Sequence, residues 1–130
     1  MKKLLGLRDH ILELTGISTE TLSVYASDGR LVGTAQNAFE YRYQGEVTIT
    51  EYNGQADNVL WPIYAWVRDH QPDISSDDLE FEVDLLDHEG VDLAVRIPLT
   101  EAVRRDPTTG GFTHCDPVEP ADLYGPHPTV

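Results

Sequence analysis

The run Phe39-Glu40-Tyr41-Arg42-Tyr43-Gln44-Gly45-Glu46-Val47-Thr48-Ile49-Thr50-Glu51 decides how this chain folds. In an extended segment, side chains alternate between two faces. Phe39, Tyr41, Tyr43, Val47 and Ile49 then share one face, with Gly45 in series, while Glu40, Arg42, Gln44, Glu46, Thr48 and Thr50 share the other. One apolar and one polar face is the mark of a long, half-buried strand in an antiparallel sheet. Gly45 within it predicts a bulge or the close approach of another element.

Upstream, Thr21 to Ala35 reads as a hairpin. Leu22, Val24 and Ala26 alternate with polar neighbours, Asp28-Gly29 supplies a turn pair, and Leu31-Val32 begin the return strand. Before it, Leu4, Leu7, Ile11 and Leu14 recur at helical spacing within Lys2 to Thr15, and Gly16 supplies a left-handed stop. Downstream of the turn at Asn53-Gly54, residues Asp57 to Gln71 read as a second helix, capped by Asp57 or Asn58 and ended by Pro72. Its inward stripe is Val59, Ile63, Trp66, Val67 and His70. Leu60, Trp61 and Tyr64 lie off that stripe, so the helix is apolar on more than one side. Pro62 sets its first turn or kinks it.

Two further strands follow. Leu79, Phe81, Val83 and Leu85 alternate with Glu80, Glu82 and Asp84, and Val91, Leu93, Val95, Ile97 and Leu99 alternate with Asp92, Ala94, Arg96 and Pro98. His88-Glu89-Gly90 joins them, and Pro98 marks an edge at that point of its strand. The expected fold is α+β: a mainly antiparallel sheet with two helices packed on it. The order is helix, three strands, helix, two strands and a C-terminal arm. Five of the eight prolines and three of the ten glycines fall in the last 25 residues. We therefore divide the chain into a domain at 1–105 and an arm at 106–130.

Composition narrows the function. The chain has 130 residues, with 23 carboxylates against 9 Lys or Arg, and a net charge of −14. Binding to nucleic acid draws on Lys and Arg that release phosphate counterions, so this balance argues against a DNA-wrapping role. One cysteine excludes an internal disulfide framework and suits a reducing compartment. No apolar run approaches the length of a membrane span. Asp9, His10 and Glu13 interrupt the apolar start, which argues against a signal peptide. We expect a soluble cytosolic domain.

Motif searches find no phosphate loop, dinucleotide fingerprint, zinc-protease helix or nucleophile elbow. His114-Cys115-Asp116 mixes ligand types, but a zinc site needs three or four converging donors and no second Cys exists. Residues 69–92 hold ten carboxylates and no Lys or Arg. Asp84, Asp87, Glu89 and Asp92 lack the spacing of an EF-hand loop, so the block reads as the solvated face of a hairpin. We expect no enzyme, cofactor or metal.

Several strings carry a family likeness. These are Phe39-Glu40-Tyr41-Arg42-Tyr43, Pro62-Ile63-Tyr64-Ala65-Trp66-Val67-Arg68, His70-Gln71-Pro72-Asp73 and the hairpin end Leu99-Thr100-Glu101. In this order of elements, over about residues 1–105, they resemble the tail completion protein R family of contractile-tailed phages. The resemblance implies a tail-terminator-like structural protein of the virion, assembled in the host cytoplasm. It would form a ring of copies of itself, six-fold by preference, at the head-proximal end of the tail. There it would meet tail tube and sheath proteins and the neck or head-completion proteins, with DNA only in passage and no membrane. It brings no catalytic residues with it.

A ring needs contact surfaces. Leu60, Trp61 and Tyr64 are expected to face a neighbouring subunit, with Val59, Ile63, Trp66 and Val67 in the core. Arg42 and Arg68 read as intersubunit or core-rim ion-pair partners, or equally as ordinary solvated arginines. Glu80, Glu82, Asp84 and Asp92 would face the channel and repel DNA, or else lie on the outer rim where charge only aids solubility. The competing reading is an acidic inhibitor or DNA mimic that uses residues 69–92 to fill a basic groove.

Overall fold

The computed structural model describes residues 1–73, 78–86 and 90–115. Its elements are α1 (Lys2–Thr15), β1 (Leu22–Ala35), β2 (Ala38–Tyr52), α2 (Asp57–His70), β3 (Glu80–Leu85), β4 (Val91–Arg105) and β5 (Phe112–Cys115). The strands form one antiparallel sheet in the order β1-β2-β4-β3, with β5 pairing the far end of β4. The α+β expectation holds.

Both helices pack on one face of the sheet. Leu4, Leu7 and Ile11 of α1 and Val59, Ile63, Trp66 and Val67 of α2 meet Tyr43, Val47 and Ile49 of β2 and Leu93, Val95, Ile97 and Leu99 of β4. The alternation of β2 thus becomes an inside and an outside. Gly45 permits the closest approach: a Cβ there would lie 3.0 Å from Leu4 Cδ1 and 3.2 Å from Leu99 Cδ1. No bulge occurs at Gly45, which pairs in register with Ile97.

The hairpin expected at Asp28-Gly29 is not formed. Leu22–Ala35 is one strand, and Asp28 and Gly29 together oppose Tyr43 as a bulge, between the pairs Ser27↔Gln44 and Arg30↔Arg42. Asp28 takes a positive φ of 53°, which a bulge uses as readily as a turn does. The reversal comes later, at Gln36-Asn37, where Ala35 pairs with Ala38. The β3–β4 hairpin does form, with Leu85 opposite Val91, although His88 and Glu89 of its expected turn lie outside the described residues.

Three smaller expectations change. The N-cap of α2 is Ala56, without a side-chain cap, rather than Asp57 or Asn58. His70 is exposed, because it stacks on Trp66 at 4.3 Å and bonds the Trp66 carbonyl instead of turning inward. Leu14 is exposed in the last turn of α1, one turn beyond the buried Ile11. The stretch read as an arm also begins differently, because Phe112–Cys115 returns to β4 after the Asp106–Gly111 turn. Residues 116–130 of that arm lie outside the described residues.

Pro98 sits where β4 lacks a second neighbour. β3 pairs β4 up to Arg96 and β5 pairs it from Ala102, which leaves Ile97–Glu101 without a strand on that side among the described residues. Proline has no N–H to leave unpaired there. Two residues on, the Thr100 N–H is taken by the side chain of Gln71, whose Oε1 accepts it at 3.1 Å.

Candidate functional site

Three regions carry the chemistry that a packed sheet alone does not explain. The first is the exposed flank of α2. Helical periodicity turns Val59, Ile63, Trp66 and Val67 into the core and leaves Trp61 63% exposed, with Tyr64 exposed and Leu60 half-buried. Trp61 and Tyr64 lie against each other, ring centroids 5.6 Å apart, and the Arg68 guanidinium sits 5.7 Å over the Tyr64 ring. Asp69 approaches Arg68 at 3.9 Å. Beside this flank runs β3, whose Phe81 and Leu85 are also exposed. A groove of about 250 Å³ joins the two, lined by Leu60, Ile63, Tyr64, Leu79, Phe81 and Val95. Large aromatic side chains gathered beside a charged rim are the composition of protein–protein contact surfaces.

The second region is the helix-free face of the sheet, where Glu80, Glu82, Asp84 and Asp92 fall together. Arg96 on β4 lies between Glu46 on β2, at 3.3 Å, and Glu80 on β3, at 3.7 Å, so one cation bridges three strands. Glu82 is exposed opposite Ala94. Asp84 directly faces Asp92, an arrangement of like charges that destabilises a sheet slightly. Asp92 also braces the backbone of β2. Its Oδ1 accepts the Glu51 N–H at 2.8 Å, holding a bulge in which Glu51 takes a φ of 52°. On the same face Arg42 is exposed and bonded to Glu40 at 3.2 Å. Among the described residues, no group of three or more His, Cys, Asp or Glu side chains is placed to hold a metal ion. No helix there is long and apolar enough to cross a membrane.

The third region is a buried polar cluster absent from the sequence expectations. Glu101 occupies a core-facing position of β4 and is almost wholly buried. Its Oε1 accepts the N–H groups of Lys2 at 2.8 Å and Lys3 at 3.4 Å, so a β4 carboxylate caps α1. Met1, the formal N-cap, makes no side-chain cap bond. The Tyr43 hydroxyl donates to Oε2 at 2.6 Å, and His114 Nδ1 lies 3.3 Å from Oε1. Burial pushes the Glu101 pKa up, but the Tyr43 hydroxyl and the Lys3 amide outweigh it, and the net shift is downward. Burial, reinforced by the Glu101 charge, pushes the Tyr41 phenol up to about 12, and the Tyr43 phenol higher still. Both phenols therefore stay protonated and Glu101 stays ionised at neutral pH. Alongside, Lys3 Nζ donates to Gln71 Oε1 at 2.7 Å, and Gln71 Nε2 donates to Asp73 and to the Thr100 hydroxyl. One signal was available in the sequence: Glu101 falls on the same alternation as the apolar Leu93, Val95, Ile97 and Leu99.

The structure thus brings Leu60, Trp61 and Tyr64 together and adds Phe81 to them. It gathers the four carboxylates on one face, and leaves Arg42 and Arg68 at the surface in local pairs.

No solved structure matches the chain. Among curated proteins it matches "Tail completion protein R" of Escherichia phage P2, 30% identical over 90 residues, covering 63% of this chain and 58% of that protein. The chain thus aligns with somewhat more than half the length of that relative. The family described as P2 phage tail completion protein R (GpR) matches residues 1–120. With all but the last ten residues inside that match, the chain belongs to the P2 phage tail completion protein R family.

Proposed function

We propose that this chain, by its family a structural protein of a phage tail, completes the tail as a ring at its head-proximal end, six-fold by preference. The ring stops growth of tube and sheath and presents a surface to neck and head-completion proteins. The observation that carries this reading is the exposed Trp61–Tyr64 pair, continuous through a groove with Phe81 on the neighbouring strand. A lone domain gains nothing from leaving such rings in water, whereas a second subunit would bury them. Arg68, over the Tyr64 ring, sits where a neighbouring copy could take its charge, while Arg42 stays paired with Glu40 on the helix-free face.

The helix-free face suits a channel. Glu80, Glu82 and Asp84 repeated by every copy would surround the lumen with carboxylates, and their field would reach about 8 Å at physiological salt. Passing DNA would be repelled rather than held. The C-terminal stretch from Asp106, once past its β5 pairing, is read as an arm laid on an adjacent chain. The test is imaging of the purified protein by negative stain and mass photometry, alone and with purified tail tubes. Rings capping tube ends are the expected result. A single copy, or none, at the tube end would overturn the reading.

A further inference from the structure

We infer that in the free chain the Trp61–Tyr64–Phe81 surface is covered by the chain's own C-terminal segment, residues 116–130, folded back along α2. The contact belongs to the free chain and stands apart from the ring reading above. In that ring a neighbouring copy would take the surface, and the displaced segment would become the arm laid on the adjacent chain.

The path follows from where the sheet lets go of the chain. β5 runs antiparallel to β4, with Phe112 opposite Arg105 and Cys115 opposite Ala102. Its continuation therefore heads toward Arg96, where β3 begins on the same side of β4. Continuing the register sets Pro117 opposite Thr100. Proline has no N–H to give, and the Thr100 N–H already donates to Gln71 Oε1 at 3.1 Å. The ladder thus ends at Cys115, and Gln71, the C-cap of α2, stands where the chain must turn off. From there α2 leads to the groove, because Gln71 meets Thr100 while Leu60, Ile63 and Tyr64 meet Val95. Between these two points lie Arg68, Tyr64 and Trp61, in that order, each within 6 Å of the next.

Lengths and chemistry agree with that path. From Ala102 to Thr100 is two strand residues and from Gln71 to Arg68 three helical ones, together about 12 Å. Glu119, four residues past Cys115, reaches about 12 Å in the extended form that Pro117 and Pro120 favour. Val95, in the groove wall, is seven strand residues from Ala102, about 24 Å. Leu123 and Tyr124, eight and nine residues past Cys115, reach about 25–28 Å. A carboxylate therefore arrives at the Arg68 guanidinium, which Asp69 approaches no closer than 3.9 Å. An apolar pair arrives at a groove of about 250 Å³, space for a side chain or two rather than for a whole element. Glu80, the carboxylate of that groove wall, is drawn toward Arg96 at 3.7 Å. Residues 116–130 hold three carboxylates and no Lys or Arg, so Arg68 attracts the segment while the acidic helix-free face repels it. A tethered segment also meets the groove at about millimolar effective concentration, which favours it over a separate copy.

The test reads Trp61 in the full chain by acrylamide quenching of tryptophan fluorescence, over a range of protein concentrations. Trp66 is buried, so a change in quenching reports Trp61, and Trp61→Phe checks the assignment. Trp61 in the wild type should be shielded to the same degree at every concentration. Leu123→Ser combined with Tyr124→Ser should raise its quenching constant severalfold. Arg68→Glu should raise it too, and adding Glu119→Arg should restore the shielding. Thermal melts confirm that these substitutions leave the domain folded. A wild-type Trp61 as open to quencher as in the Leu123/Tyr124 variant would overturn the contact. Shielding that grows with concentration would overturn it as well: lost in that variant, it marks the segment of a second copy; kept, it marks another surface of that copy. The ring is judged separately by imaging tube ends, so a bare Trp61 in the free chain leaves it standing, and a shielded Trp61 does not rescue it.

Discussion

Replacing Glu101 by Gln preserves shape and removes one charge from the most buried polar position of the fold. The carboxylate accepts two short bonds, from the Lys2 amide at 2.8 Å and the Tyr43 hydroxyl at 2.6 Å, and two long ones, from the Lys3 amide and His114. Glutamine keeps a single acceptor oxygen and turns an NH2 group toward donors. One short charge-assisted bond is therefore lost, along with the attraction between a negative charge and the N-terminus of α1. Bonds to charged groups contribute about 1.5–3 kcal/mol and the helix-end term about 1 kcal/mol, so a loss of about 3 kcal/mol is expected. With a urea slope of about 2 kcal/mol per molar, the unfolding midpoint falls by about 1.5 M at pH 7. The effect has a pH signature. The native pKa of Glu101 lies below its ordinary 4.5, so its stabilisation is complete above that pH and fades as the pH falls through the native value. The gap between wild type and variant should accordingly narrow as urea titrations move from pH 7 toward pH 3. Equal stability at pH 7, or a gap that does not narrow in acid, would refute the reasoning.

Three other substitutions probe the packing and the contact surface. Trp66→Ala should cost about 3–5 kcal/mol in chemical denaturation, while Trp61→Ala should leave monomer stability within about 0.5 kcal/mol and instead weaken assembly on tail tubes. Gly45→Ala should destabilise by about 1 kcal/mol, measured the same way, because the new methyl would press on two buried leucines, Leu4 and Leu99; Gly45→Val should cost more. Gln71→Ala should cost about 1–3 kcal/mol and speed amide exchange at Thr100, whose N–H would lose its acceptor on the open side of β4.

The sequence was legible where a single period governs a segment. The alternation of Phe39–Glu51 and of Val91–Leu99 reports a strand with one buried face, and the spacing of Leu4, Leu7 and Ile11 ending at Gly16 reports α1 with its true bounds. Legibility failed where one local feature serves two purposes. Asp28-Gly29 signals positive φ, which a hairpin turn and a bulge share, and only the cross-strand register tells them apart. Phe112–Cys115 is short and flanked by Gly and Pro, so it reads as an arm until β4 supplies a partner. The cluster of Glu101, Lys3 and Gln71 was hidden for another reason. The bonds that tie it to α1 join residues 68 to 99 positions apart, and no local window contains both ends. At the surface, the off-stripe position of Trp61 and Tyr64 was readable, but their continuity with Phe81 depends on where β3 lies beside α2.

The capping of α1 from β4 has a consequence for synthesis. A helix of this length is marginal on its own, and α1 has no acidic residue in its first turn and no side-chain cap from Met1. The group that secures it, Glu101, is translated 99 residues after Lys2. Helix α1 therefore leaves the ribosome well before the group that locks it, and until β4 is made Leu4, Leu7 and Ile11 lack most of their packing surface. Contacts of such long sequence separation slow folding. They also mean that a chain broken off before residue 101 would leave α1 without the carboxylate that caps it.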